Sequence, residues 1–216
     1  MHQTIKNLNL ITEELKLLTN KLPSIIAVSK TFPMSKIEPL IKFGHIHFGE
    51  NKVQEAVEKW SPVKAKFKNI KLHMVGKLQT NKVKYVIPLF DYLHSLDNIK
   101  LAKKISIEQK KLNKKIKIFI QINLENESQK GGIEPNKLEN FYKNCTTELG
   151  LDIIGLMSIP PNDNQSNHYF SEMKKLKSLI NIKELSMGMS GDYLEAIKHE
   201  ATFIRIGSNI FGQRSQ

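Results

Sequence analysis

Cysteine is almost absent from this 216-residue sequence, where Cys145 stands alone. One thiol closes no intrachain disulfide and offers no zinc-ligand spacing, so the chain is expected to fold by packing alone in a reducing cytoplasm. Arginine is nearly as scarce. Only Arg205 and Arg214 occur among 33 basic residues, although the formal net charge is +12. Specific recognition of bases and phosphates favours the arginine fork, and here the lysines are spread over the whole chain. The basic excess is therefore expected to be a solvated lysine surface and not a specific nucleic-acid face. No apolar run reaches the roughly 18 residues that a membrane helix needs. The N-terminal MHQTIKNLNLITEELKLL carries amides and acids where a secretory leader has a continuous apolar core. No GxGxxG follows an apolar run, so a dinucleotide-binding sheet has no support. No low-complexity linker divides the chain.

What is present is the balance of a globular protein, 40% hydrophobic and 25% charged. Short β-rich runs occur at Ile25–Val28, Ile46–Phe48, Leu72–Val75, Tyr92–His94, Ile116–Ile122, Asp152–Met157, Glu184–Met187 and Phe203–Ile206. Helical periodicity fills the gaps at Lys36–Phe43, Glu50–Trp60, Asn81–Ile87, Ile99–Leu112, Asn136–Leu149, His168–Leu179 and Tyr193–Lys198. An amphipathic stripe of Ile5, Leu8, Ile11, Leu15 and Leu18 precedes the first strand. This alternation predicts an α/β fold, a single (β/α)8 TIM barrel over residues 1–216 with an extra N-terminal helix. A doubly wound open sheet is the rival reading.

A barrel carries its chemistry at the C-terminal ends of its strands, and the unusual residues of this chain gather there. Lys30 follows the apolar strand SIIAV. Desolvation at a barrel mouth favours the neutral, nucleophilic amine, which forms imines with carbonyl compounds. The plainer alternative is a lysine that snorkels to solvent. The loops SMGMSGD and IGSN, after strands seven and eight, each join Gly to a hydroxyl residue. Exposed backbone N–H groups in such loops suit a phosphate, and ordinary serine capping of two helices is the alternative. Arg205 lies two residues before Gly207, on the same strand face. A buried arginine requires an acceptor, either a salt-bridge partner or a ligand atom such as the pyridine nitrogen of pyridoxal 5′-phosphate (PLP). Asn51, after strand two, suits either a ring hydroxyl or a helix cap. His47 and His73 read as structural, with no acid or nucleophile beside them in sequence. Cys145 and Trp60 read as packing residues. Together these features suggest a site for a phosphorylated carbonyl compound, either PLP or a phosphosugar.

The strings AVSKTFP (27–33), FGENKVQE (48–55), HMVGKLQTNK (73–82), QINLENESQKGG (121–132), GLMSIPP (155–161), LSMGMSGD (185–192) and IRIGSNIFGQR (204–214) occur in this order. In that combination the chain resembles the pyridoxal phosphate homeostasis (YggS/PROSC) family. The resemblance implies the barrel of the alanine racemase N-terminal domain, with PLP as cofactor. It matches Lys30 to the lysine that forms the internal aldimine, Arg205 to the partner of the pyridine nitrogen, and Asn51 to a residue beside the ring. Ser190, Gly207 and Ser208 match the phosphate cradle. The candidate cofactor-binding set is therefore Lys30, Asn51, Met189, Ser190, Arg205, Gly207 and Ser208, with no catalytic residue and no metal ligand. Two positions depart from the family pattern. Ser208 stands where threonine is usual and keeps the hydroxyl. Glu200 replaces a usual glycine, which strains the loop if the backbone there is left-handed.

The expected function is intracellular PLP homeostasis, by buffering or delivery, without robust catalysis. A racemase needs a second acid/base on the far face of the ring. Only about ten residues follow Ile206, too few for the second domain that supplies it in alanine racemases. The alternatives are a PLP-dependent racemase-like enzyme, a Schiff-base aldolase, and a nucleic-acid-binding protein driven by charge. A monomer is expected, with PLP-dependent enzymes as transient acceptors and no membrane partner.

Overall fold

The computed structural model describes residues 1–125, 131–161 and 165–213. Asn126–Lys130 of the QINLENESQKGG string and Arg214 lie outside them. Helix α1 (Gln3–Leu18) buries Leu8, Ile11 and Leu15, at the three- and four-residue spacing of one helical face. Leu18, at its end, is exposed. The strands are β1 (Ser24–Val28), β2 (His47–Glu50), β3 (Lys71–Met74), β4 (Tyr92–Leu96), β5 (Lys117–Gln121), β6 (Asp152–Met157), β7 (Glu184–Met189) and β8 (Phe203–Ile206). Each pairs in parallel with the next, and β8 closes on β1 with Ile26 opposite Arg205. The closed barrel excludes the open-sheet reading.

Between the strands run α2 (Met34–Lys42), α3 (Val53–Lys66), α4 (Val83–Leu89), α5 (Ile99–Leu112), α6 (Leu138–Lys143), α7 (Ser166–Leu179) and α8 (Tyr193–Lys198). A short α9 (Ser208–Phe211) follows β8 and packs on α1. Strand alternation separates two cores. Ala27, Phe48, Leu72 and Ile204 point outward into the layer beneath the helices. Ile26, Val28, Tyr92, Phe119, Met157 and Phe203 fill the inside of the barrel.

The boundaries differ from expectation at two places that matter. The helix expected from Glu50 begins at Val53, because Glu50 completes β2 and Asn51 occupies a bend. The helix expected over Asn136–Leu149 breaks into a 3₁₀ turn (Pro135–Lys137), α6 and a π segment (Asn144–Glu148). Cys145 is buried in that segment, and burial pushes its thiol up to about 12. It is an inert packing residue, as the sequence suggested.

Glu200 has a left-handed backbone, with φ of 64°. Its carboxylate bridges Lys174 at 2.7 Å and Lys177 at 2.9 Å. These two lysines, by hydrogen bonding first, hold its pKa down at about 2. A left-handed non-glycine residue costs roughly 1–2 kcal/mol, and each exposed ion pair returns at most about 1 kcal/mol. Glu200→Gly is therefore expected to stabilise the protein by about 0.5 kcal/mol in low salt. The gain should widen in high salt, where the ion pairs are screened. Urea midpoints at two salt concentrations test this, and a destabilised variant in high salt would contradict it.

Candidate functional site

The site begins with the loop that carries Lys30. Strand β1 ends at Val28, and Lys30 lies half-buried in the turn beyond it. That turn is clamped from below. Glu50 is fully buried, and its Oε1 accepts from Ser29 Oγ (2.8 Å), Trp60 Nε1 (2.9 Å) and Lys59 Nζ (3.1 Å). Lys59 also donates to the Ser29 carbonyl (3.0 Å) and to Glu55 (2.8 Å), and Glu55 accepts from the Thr31 N–H (2.7 Å). Thr31 itself has φ of 68°. The residues on either side of Lys30 are thus tied to α3, which sets where its side chain leaves the barrel rim.

A cavity of about 800 Å³ opens at this rim. Lys30, Asn51, Met189, Ser190, Arg205, Gly207 and Ser208 all line it, so the fold brings together every candidate position read from the sequence. Asn51 caps no helix, since Lys52 is the N-terminal boundary residue of α3 and makes no side-chain cap bond. Among the described residues its buried Oδ1 has no hydrogen-bond partner. Gly76 makes room for it. A Cβ at Gly76 would sit 2.3 Å from the Asn51 carbonyl oxygen, so any larger residue would push the loop out of the rim.

Arg205 is buried on β8. Its Nη1 donates to the Ser186 carbonyl (2.7 Å) and to Ser186 Oγ (2.8 Å), and its Nη2 donates to the Ser158 carbonyl (2.8 Å). Among the described residues no carboxylate forms an ion pair with it, so the salt-bridge reading does not hold. Burial lowers its pKa to about 10, opposed by the more distant Asp192, and it remains charged at neutral pH. An arginine has five N–H bonds. Three are used here, and the other two have no acceptor among the described residues.

The loops after β7 and β8 face each other across the cavity. Neither Ser190 nor Ser208 caps a helix, because Asp192 and Gly207 hold those positions without a side-chain cap bond. Instead Ser190 Oγ accepts from the Gly207 N–H at 3.4 Å, and Asn209 Nδ2 donates to the Ser190 carbonyl at 3.0 Å. Gly188, with φ of 91°, lets the first loop turn against α8, where a Cβ would meet Ala196 at 2.7 Å. The Met189 N–H is taken by Asp192 Oδ1 at 2.6 Å, so that residue contributes its side chain and not its amide. Among the described residues no hydrogen bond engages the N–H of Ser190, Gly191 or Ser208.

These groups form a consistent donor set. Two guanidinium N–H bonds and several backbone amides are available. Asn51 Oδ1 and the buried Ser158 Oγ both lack a partner among the described residues. Buried polar atoms without partners are uncommon and mark a place for a ligand or water. The set suits a flat, polar heterocycle bearing an anionic arm.

One feature of the interior escaped the sequence reading. His47 and His73 are not isolated, because they join His94 and Ser186 in a hydrogen-bonded chain that ends on Arg205. The signal was available as histidines on the inward parity of three successive strands, in HFGE, KLHM and YLHSL. Burial holds His73 and His94 well below the usual histidine range. Tyr92 stacks on His73 at 4.2 Å and Phe119 on His94 at 4.3 Å.

The family model for the alanine racemase N-terminal domain matches residues 7–215. A pyridoxal phosphate homeostasis protein of Haemophilus influenzae is 37% identical, over 97% of this chain and 95% of its own. The protein of that name from Escherichia coli K12 is 32% identical, over 88% and 86%. PipY of Synechococcus elongatus, solved with PLP bound, superposes with a TM-score of 0.87 at 30% identity, covering 97% of this chain and all of PipY. Alanine racemase of Bartonella henselae shares the fold, with a TM-score of 0.75 at 18% identity over 61% of its length. The chain belongs to the pyridoxal phosphate homeostasis protein family and carries the alanine racemase N-terminal domain.

Proposed function

We propose that this protein binds PLP at the barrel rim and holds it in reserve or delivers it, in the cytoplasm, as part of PLP homeostasis. The observation that carries this reading is the convergence of Lys30, Arg205 and the two serine–glycine loops on one cavity. Lys30 is the covalent anchor for the carbonyl carbon. Ser190, Gly191 and Ser208 offer amides and hydroxyls to the phosphate, and Asn51 lies beside the ring. Arg205 would donate to the pyridine nitrogen. It can only donate, so that nitrogen stays unprotonated. When bound, PLP supplies a carbonyl reactive towards amines and an electron-accepting ring, and an unprotonated ring accepts electrons weakly.

The lining also favours holding over turnover. Among the described residues around the cavity, Lys30 and Arg205 are the ionisable ones. A racemase needs a second group that trades a proton near neutral pH, and an arginine is poorly suited to that task.

The near-visible absorbance of the purified protein, beside Lys30→Ala, tests the proposal. After incubation with PLP the wild type should show an imine band that borohydride abolishes, and Lys30→Ala should show none. A wild type that takes up no PLP would overturn the assignment. A band that persists in the variant would move the anchor to another lysine.

A further inference from the structure

Inside the barrel one hydrogen-bonded chain runs from floor to mouth. His47 Nδ1 meets His73 Nε2 at 2.9 Å, and His73 Nδ1 meets His94 Nε2 at 2.9 Å. His94 Nδ1 meets Ser186 Oγ at 2.8 Å, and Arg205 Nη1 donates to the same oxygen at 2.8 Å. His47 is half-buried, while His73, His94 and Ser186 are fully enclosed.

The proton positions follow from counting donors. Arginine only donates. Among the described residues Ser186 Oγ meets only Arg205 and His94, so its hydroxyl proton has His94 Nδ1 as its acceptor. His94 then carries its own proton on Nε2 and donates to His73 Nδ1. His73 likewise carries Nε2–H and donates to His47 Nδ1. The guanidinium thus orders three imidazole tautomers, the furthest of them at the opposite end of the barrel. The reverse polarity would leave a buried hydroxyl proton without an acceptor.

A proton arriving at the floor conflicts with this order. Charged His47 carries hydrogen on Nδ1, which would then face the Nε2–H of His73, donor against donor. The conflict is relieved only if His73 and His94 change tautomer and the Ser186 hydroxyl turns away. The Ser186 oxygen then accepts from both His94 and Arg205 while its own proton has no acceptor among the described residues, which weakens one of the seats of Arg205. We propose that the histidine chain couples protonation of His47 to the grip of Arg205 on a pyridine-type nitrogen at the mouth, so that the two events oppose each other. The proposal rests on reading the cavity as a PLP site. The proton comes from water and stays on His47, so no other group is consumed or released. Linkage makes the effect reciprocal: ligand held by Arg205 makes His47 harder to protonate. His73 and His94 are here positioning residues for Arg205.

The surroundings of His47 set the range. Lys71 lies opposite it on β3 and disfavours its charge, and Asp91, just before β4, favours it. His45 Nε2 contacts the His47 carbonyl at 2.9 Å, and the Tyr92 and Phe203 rings stand 6.4 and 6.3 Å away. Lys117 lies over Tyr92. Burial is the largest influence and holds His47 below its ordinary value of 6.5, so the coupling operates on the acid side of that pH.

Long-range ¹H–¹⁵N correlation spectra of the PLP-free protein read the tautomers directly. At pH 7.5 His73 and His94 should both be Nε2–H. Acidification to pH 5.5 should move the His94 nitrogens with the midpoint of His47. In His47→Gln, and in His47→Asn as a second variant, residue 47 still offers an oxygen to His73 but cannot be charged, and the pH-linked movement should vanish. An Nδ1–H tautomer at His94, or His94 signals that ignore the His47 titration, would overturn the proposal. With PLP added, the dissociation constant should rise about twofold or more further in the wild type than in His47→Gln over the same interval. The pH dependence of the Lys30 anchor is common to both proteins and cancels. Equal slopes would also overturn the coupling. If neither protein takes up PLP, the reading of the cavity fails by itself, and the His94 response in the PLP-free protein alone decides the chain.

Discussion

Below pH 6.5 the PLP-free protein should lose stability steeply, by about 3 kcal/mol per pH unit once the unfolded histidines are charged. His73 and His94 are fully buried, and burial is the first cause that drives both well below the ordinary 6.5. His94 is further opposed by Arg205, and His73 by the neighbouring histidines. Both stay neutral in the folded state, while the unfolded chain takes up two protons as pH falls through 6.5. Their contribution is therefore complete above that pH and disappears as pH drops towards the folded values. Each contributes about 1.4 kcal/mol per pH unit. His45, lowered to about 4 chiefly by burial, acts in the same direction. Urea unfolding at pH 7.5, 6.0 and 5.0 measures the slope. A midpoint unchanged from pH 7.5 to 5.0 would show that the interior accepts charge. The test of the histidine chain stays at or above pH 5.5 for this reason, with near-ultraviolet circular dichroism to verify that the barrel remains folded.

Lys59→Met should cost about 3–5 kcal/mol, the usual penalty for removing one partner of a buried ion pair. The Glu50 side chain is fully enclosed and that of Lys59 is 13% exposed. Without the ammonium, the carboxylate keeps, among the described residues, only the Ser29 hydroxyl and the Trp60 indole on Oε1, and its Oε2 has no partner there. Methionine fills similar space, so the loss comes from the stranded charge. The double variant Glu50→Gln with Lys59→Met should recover more than half of it. Lys59 also holds the Ser29 carbonyl and orders Glu55 against Thr31, so the loop around Lys30 should loosen. Weaker PLP uptake should accompany the lower urea midpoint. A single variant within 1 kcal/mol of wild type would mean that the clamp is not needed.

Much of this architecture can be read from residue order. Each strand had its apolar run and each helix its stripe, because local periodicity reports which face is buried. The boundaries that slipped have local causes. Glu50 looked like the start of a helix, yet its carboxylate is needed inside, beneath the Lys30 turn, and this keeps it in β2. The segment Asn136–Leu149 has helical spacing throughout, but it changes pitch at Asn144 on the way to burying Cys145. Glu200 could be suspected of strain from sequence, and its φ of 64° bears that out.

The candidate site divides along the same line. Sequence alone determined the barrel, the rim positions that carry the unusual side chains, and the nearness of Arg205 to the loops, since strand parity and strand ends are local properties. Only the tertiary structure decided which groups share hydrogen bonds. Asn51 proved to be an unpartnered acceptor and not a cap, and Arg205 rests on serine and carbonyl oxygens and not on a carboxylate. His47, His73 and His94, each unremarkable in its own strand, became one chain through the barrel. The reason is physical: strand closure sets the registers of β2, β3, β4 and β7, and hydrogen bonds of 2.8–2.9 Å across a barrel depend on registers that no single segment contains.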